Sequence, residues 1–220
     1  NLTEDYEQVL AQPWLPSDMR LKLQEIHALL DRLPDTSSVS ITSPEHLARE
    51  LFTHQGSGTF IRQGERVRCV ATFAQVDTVR LRHLLETCFG RQLSDDYFAA
   101  KPCYQVYVAD SYRATAILTR EGPIPYLDKF AVTQEAQGQG LGASLWGRMR
   151  REVPQLFWRS RADNPVNPWY FTQSDGCYRA ATWVVFWYGL AEYDMIRACV
   201  EQALALPATF RDAPLALASA

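Results

Sequence analysis

Four groups of residues in this chain have types and spacings that can do chemistry. The first is the run Gln137-Gly138-Gln139-Gly140-Leu141-Gly142, which opens a predicted helix directly after a predicted strand. A helix N-terminus leaves its first amide N–H groups unpaired and carries partial positive charge, and a turn without Cβ atoms lets a phosphate come close to those donors. Here the donors would come from Gly138 to Ala143. The helix carries apolar Leu141, Leu145 and Met149 at spacing four, with Arg148 and Arg151 off that stripe, so it packs on a sheet and points its start at a ligand. A bare loop is the competing reading of the glycines alone. Two better-known phosphate motifs are absent: there is no Gly-x-x-x-x-Gly-Lys-Ser/Thr, and the glycines lack dinucleotide-fingerprint spacing. The other groups are the cations Lys129, Arg159 and Arg161, the turn Asn164-Pro165-Val166-Asn167-Pro168, and the phenol of Tyr170.

The elements that must position these groups fall into two parts. In the first, Met19, Leu23, Ile26, Leu29, Leu30 and Leu33 repeat at helical spacing over residues 18–33, and Pro34 stops the run. A short strand, Ser38 to Ile41, follows. Ser43 before Pro44 and Glu45 marks a second helix start, running to His54 and ending at Gly56. Gly56 to Thr59 reads as a C-cap and turn in preference to a phosphate cradle. From Glu65 the second part begins. Val67 to Ala74 is β-like, and Thr78 to Gly90 is a helix bearing Leu81, Leu84, Leu85 and Cys88. Tyr104 to Ala109 and Ala114 to Leu118 form a hairpin closed at Asp110-Ser111. The strand Ile124 to Val132 leads into the glycine turn and its helix, which Pro154 ends. Leu156 to Arg161 and the aromatic Trp183 to Tyr188 are strands, and Tyr193 to Leu206 is a closing helix. Together these give an α/β fold, a mixed central sheet flanked by helices and preceded by a mainly helical N-terminal segment.

The pattern Gln-x-x-Gly-x-Gly between two strands resembles the acyl-coenzyme A loop of the GNAT acetyltransferases. Beyond it, Tyr126-Leu127-Asp128-Lys129-Phe130, Leu156-Phe157-Trp158-Arg159-Ser160-Arg161, Asn164-Pro165, Asn167-Pro168-Trp169-Tyr170-Phe171 and Ser174-Asp175-Gly176 resemble the acetyltransferase domain of vertebrate-type N-acetylglutamate synthases, a class that includes bifunctional bacterial synthase/kinases. The resemblance covers roughly residues 63–206, and the run from Phe157 to Phe171 is far more specific than the glycine loop. It implies a GNAT domain over residues 63–220, acting on acetyl-coenzyme A and L-glutamate at the entry to arginine biosynthesis or its urea-cycle counterpart. It also implies that residues 1–62 are the end of an amino-acid kinase domain, most of which is missing. So small a part offers too little core for a kinase site, and no phosphorylation of N-acetylglutamate by ATP is expected of this chain.

Within that frame the cations take on a role. Arg159 and Arg161 alternate on a strand and share a face, with Cα atoms roughly 6 to 7 Å apart. Each arginine alone reads as solvated or ion-paired. Beside an acyl-donor turn, and with Lys129 on the neighbouring strand, their planar forks suit the two carboxylates of a dicarboxylic amino acid. The resemblance implies that Lys129, Arg159 and Arg161 contact glutamate. The α-amine then attacks the thioester carbonyl, and the oxyanion needs a main-chain donor from the strand bearing Phe130, Ala131 and Val132, whose edge also holds the pantetheine arm. Tyr170, the acid proposed in the resembling family, would protonate the departing thiolate and give the pH profile an alkaline limb. A packing aromatic between Trp169 and Phe171 is the competing reading. Asn164 is a water or substrate anchor, or a turn former before Pro165. The four histidines, His27, His46, His54 and His83, all precede the acceptor segment, and none is an obvious base.

Composition excludes more than it selects. A net charge of -3 with a pI near 5.8 argues against a broad basic surface and a nucleic-acid partner. The longest apolar run, Trp183 to Ala191, is about half of a membrane span, and no secretory signal opens the chain, so no membrane partner is expected. Five cysteines form no close pair, which supports neither a disulfide framework nor a zinc site; a reducing compartment and no metal are expected. That compartment is the cytoplasm for a bacterial source and the mitochondrial matrix for a eukaryotic one. The chain opens on Asn1 and reads as a fragment or processed form, with the kinase domain of the parent chain as a partner and a homo-oligomer expected at full length. Two other readings stay open: a GNAT enzyme for another amine, such as a peptide N-terminus or aspartate, and an acetyl-coenzyme A-sensing module without turnover.

Overall fold

A computed structural model describes residues 2–33, 37–47 and 58–214. The chain divides into two compact units, Asn1–Arg66 and Val67–Ala220. In the first, helices α1 (Leu2–Leu10) and α2 (Ser17–Leu30) accompany an antiparallel pair, β1 (Ser38–Ile41) with β2 (Thr59–Arg62). Its core gathers Leu15, Leu23, Leu30 and Ile61. The expected helix over 18–33 stops three residues early, because Pro34 disfavours helical geometry in the residue before it. Leu29, within the helix, and Leu33, beyond its end, both lie exposed. Pro44 begins a short 3₁₀ turn, Pro44–His46, and Leu47 continues it in helical geometry; the rest of the helix expected to His54, with Gly56 and Ser57, lies outside the described residues.

The second unit is built on a seven-stranded sheet ordered β3 (Val67–Val70), β5 (Cys103–Ala109), β6 (Ala114–Thr119), β7 (Tyr126–Val132), β8 (Leu156–Arg161), β10 (Trp183–Tyr188) and β9 (Gly176–Arg179). All neighbours are antiparallel except β7 and β8, which are joined by a crossover helix as parallel strands require. That helix, α5 (Leu141–Glu152), buries Leu141, Leu145 and Met149 against Leu118, Leu127 and Trp158 on one face of the sheet. On the other face, α3 (Thr78–Phe89) packs Leu81, Leu84 and Leu85 against Val106, Ile117 and Ala131. The closing helix α7 (Tyr193–Ala205) packs Cys199, Val200 and Ala203 against Phe157 and Val185. A separate two-stranded ribbon pairs β4 (Arg91–Leu93) with β11 (Phe210–Pro214), and short helix α4 (Tyr97–Ala100) follows β4.

The mixed sheet flanked by helices is the architecture expected, with local differences. β3 ends at Val70, not Ala74, because Thr72 and Gln75 form a capping box that starts a 3₁₀ turn at Phe73. The segment after Asn164 is a turn only as far as Val166. Asn167–Gln173 then forms helix α6, whose second residue is Pro168, where the missing N–H costs nothing.

Candidate active site

The sheet is split at its only parallel seam. β7 and β8 are paired at Tyr126 with Phe157 and Leu127 with Trp158, and no further. On the other side of β7, pairing with β6 shifts register between Leu127 and Lys129, which leaves Asp128 as an extra residue in a bulge. Past the bulge β7 stays with β6 while β8 departs. The Thr133 N–H donates to the Arg113 carbonyl at 2.9 Å, so by strand alternation the main chains of Lys129 and Ala131 face β6. Those of Phe130 and Val132 face the gap, and the Val132 carbonyl takes only a long bond, 3.4 Å, from Gln137 Nε2. The strand expected to offer its edge over Phe130, Ala131 and Val132 therefore offers it at the first and third of these.

The open edge runs into the glycine turn. Gly138 and Gly140 have φ of 78° and 76°, values L side chains rarely adopt, and Gly140 is the N-cap of α5. A Cβ on Gly142 would stand 3.1 Å from Val132 Cγ2, so the helix start lies hard against the strand end. Among the described residues the amides of Gly138, Gly140, Leu141, Gly142 and Ala143 find no acceptor; the first helical bond there is Ser144 N–H to the Gly140 carbonyl, 3.0 Å. Gln137 and Gln139 frame the turn, and Arg113 Nη1 donates to Gln139 Oε1 at 3.2 Å. These free donors form a cradle for phosphate oxygens at the end of a strand with unpaired main chain.

The cations lie on the face opposite α5. Arg159 and Arg161 both stand over the Trp183 ring, 4.2 and 5.6 Å from its centroid. Arg159 is half-buried and donates to the carbonyls of Ala203 (2.7 Å) and Pro207 (3.2 Å), whereas Arg161 is exposed. Neither has a carboxylate partner among the described residues. Lys129 is 6% exposed and donates to Asp128 Oδ2 (2.6 Å), the Asp128 carbonyl (3.1 Å) and Thr209 Oγ1 (2.7 Å). Burial pulls its pKa down against the opposing pull of Asp128. Lys101 Nζ stands 3.3 Å from the other Asp128 oxygen. Lys101 and Lys129 thus share one carboxylate, with the Arg159 charge within reach of Lys129, and this part of the fold carries surplus positive charge that suits an anionic ligand.

Tyr170 sits on α6, buried, with its ring 5.6 Å from those of Trp158 and Phe186 and 6.1 Å from Trp146. Its hydroxyl has no hydrogen-bond partner among the described residues, and burial pushes its pKa well up. It lies within electrostatic reach of Tyr126, in the first of the two β7–β8 pairs: the Tyr126 pKa is raised by burial first, then by Asp128, is pulled down by Arg159, and is raised more weakly by Tyr170. The raised phenol alters one expectation, since Tyr170 stays protonated too far up the pH scale to cause an alkaline limb. Asn164 holds its turn in place. Its Nδ2 donates to Ser160 Oγ (2.8 Å) and its Oδ1 accepts from Val166 N–H (3.0 Å), which leaves one N–H and one lone pair of the amide for water or substrate.

Four participants around Lys129 escaped the sequence reading: Tyr97, Lys101, Asp128 and Thr209. The only local signal was Asp128 itself, a carboxylate beside a lysine in a strand that is otherwise apolar. A cavity of 280 Å³ beside α5 is lined by Ala143, Trp146, Gly147, Arg150, Trp169 and Gln173, and another of 520 Å³ by Asn164, Asn167, Phe171 and Arg179 among others. Neither includes Lys129, Arg159 or the open main chain of β7. Ala203, Pro207, Thr209 and Phe210 lie against Arg159 and Lys129 on the acceptor face.

A family model described as the N-acetyltransferase of N-acetylglutamate synthase matches residues 65–205. The chain belongs to this family. Among its relatives, a protein of Xylella fastidiosa named acetylglutamate kinase is 50% identical over 212 residues, covering 96% of this chain and 50% of that protein. The mitochondrial N-acetylglutamate synthase of Homo sapiens is 42% identical over 215 residues, covering 96% of this chain and 40% of the human protein. The chain spans about half the length of the curated relatives it matches. A solved N-acetylglutamate synthase from Neisseria gonorrhoeae, complexed with coenzyme A and N-acetyl-glutamate, is a distant likeness: 17% identity, TM-score 0.46, covering 86% of this chain and 50% of that one. The N-acetyltransferase region contains the whole gap between β7 and β8, the glycine turn, Lys129, Arg159, Arg161 and Tyr170; Thr209 lies just beyond it.

Proposed function

We propose that this chain transfers the acetyl group of acetyl-coenzyme A to the α-amine of L-glutamate, as an N-acetylglutamate synthase of arginine biosynthesis. One observation carries the reading: an unpaired strand edge at Phe130 and Val132 runs from a free-amide glycine turn to a buried surplus of cations. The amides from Gly138 to Ala143 hold the donor pyrophosphate, framed by Gln137 and Gln139, and the pantetheine arm lies along Phe130, Ala131 and Val132. Lys129, Arg159 and Arg161 hold the glutamate carboxylates. Ionised oxygens make stronger bonds than the Ala203 and Pro207 carbonyls and the Thr209 hydroxyl that now engage these cations, so a carboxylate displaces them.

The neutral amine nitrogen then forms a bond to the thioester carbon, and a β7 main-chain N–H receives the negative charge on oxygen. The C–S bond breaks as the oxyanion collapses. The departing sulfur takes the Tyr170 proton, the amide nitrogen loses its extra proton to water, and solvent restores the phenol. Asn164 contributes by holding the turn that leads into the Tyr170 helix. Residues 1–62 are the end of an amino-acid kinase domain in this reading, in keeping with relatives named acetylglutamate kinase. The full-length protein assembles as a homo-oligomer, in the cytoplasm if bacterial and in the mitochondrial matrix if eukaryotic.

Comparing kcat/KM for glutamate with that for glutamine tests the acceptor site. Glutamine lacks the second charge, so glutamate should be preferred by roughly tenfold or more; equal use would remove the cations from the account. The donor argument is tested at Gly140. Gly140→Asp adds a Cβ at φ 76° and a negative charge at the cradle. The acetyl-coenzyme A KM should rise by roughly tenfold or more while the glutamate KM hardly changes, and an unchanged donor KM in a folded variant would displace the pyrophosphate from this turn.

A further inference from the structure

Asp128 is the extra residue of the β7 bulge. In a regular strand Asp128 and Lys129 would project to opposite faces, but both are buried, with side chains 5% and 6% exposed, and they meet at 2.6 Å. The carboxylate is then pinned from two further places. Tyr97 on α4 donates its O–H to Oδ2 at 2.6 Å, and Lys101, just after α4, holds Oδ1 at 3.3 Å. Three donors thus converge on one buried carboxylate. We propose that Asp128 is a positioning residue for the acceptor: by bridging Lys129 to Tyr97 and Lys101, it fixes the aim and the charge of the Lys129 ammonium. The inference rests on the proposed function, in which Lys129 binds a glutamate carboxylate.

The charges around Lys129 make this role necessary. Lys101 faces it from the α4 side and Arg159 from β8, and both favour loss of its proton, as burial does. Tyr97, with Cys103 and Tyr126 near it, gives its O–H to the carboxylate and its ring face to Lys129 at 5.2 Å, while Thr209 and the Phe210 ring complete the lysine's surroundings. Asp128 is the one anion there among the described residues. Burial alone would push its carboxyl up, but Lys129, Lys101 and the Tyr97 O–H outweigh that and hold it below the usual range. The bridge therefore stays ionised at neutral pH.

Asp128→Asn keeps the shape and removes the charge. Lys129, its pKa then lowered further, loses its proton as pH rises, and the carboxylate loses its partner on the alkaline side. The glutamate KM should rise by about tenfold or more at neutral pH, and climb further as pH increases, while the parent value stays nearly level and the donor KM is unaffected. Tyr97→Phe keeps the buried ring and removes one donor, and should raise the glutamate KM several-fold in the same direction. A folded Asp128→Asn protein with a parental glutamate KM and pH profile overturns the proposal; if that variant does not fold, an unchanged glutamate KM in Tyr97→Phe does so. Lys129→Met separates the two layers. An unchanged glutamate KM there defeats the proposed function at this residue, whereas a raised KM with parental Asp128→Asn and Tyr97→Phe values defeats the positioning role alone.

Discussion

Tyr170→Phe should lower kcat by about two orders of magnitude and leave both KM values within about threefold of the parent. The substitution keeps the ring in its place among Trp146, Trp158 and Phe186, so the core is preserved and only the O–H is lost. Burial raises the phenol pKa, and an acid whose pKa is raised stays protonated as pH increases. The parent kcat should accordingly rise as the acceptor amine loses its proton and then stay level to the alkaline end of the assay. A Tyr170→Phe protein with near-parental kcat would reduce Tyr170 to a packing aromatic.

Arg159→Gln should raise the glutamate KM by roughly 30-fold or more, since removing one partner of a buried charge pair costs about 2 to 5 kcal/mol. Arg159 is favoured over Arg161 for the larger effect because it is half-buried over Trp183 and competes with less water. Arg159→Lys should fall between the two, keeping charge but losing the planar fork. The acetyl-coenzyme A KM, measured at saturating glutamate, should change little in both variants. A parental glutamate KM in Arg159→Gln would show that the guanidinium serves only to tie down the Ala203 and Pro207 carbonyls.

How much of this was legible depended on how far each signal reached along the chain. The stripe Leu141, Leu145, Met149 and the glycines before it are local, and helix α5 starts and faces as they require. The alternation of Arg159 and Arg161 is local too, and both reach Trp183. The bulge at Asp128 was illegible because it is a register shift against β6, and nothing in the β7 sequence marks which strand will neighbour it or where pairing slips. Thr209 joins Lys129 across 80 positions, a contact no spacing rule can anticipate. Helix α6 was hidden by its prolines, which read as turn formers until Pro168 is seen in the first turn, where a helix tolerates it. Asn164 carried two compatible readings, and its bonds to Ser160 and Val166 fit the turn while leaving polar capacity for an anchor.

The most direct test of the central claim is coenzyme A release by this chain from acetyl-coenzyme A, followed as free thiol, with L-glutamate present and absent. The account predicts thiol release that depends on glutamate, saturates with it, and is matched mole for mole by N-acetylglutamate. Release at the same rate without glutamate, or tight acetyl-coenzyme A binding with no release in its presence, would contradict it.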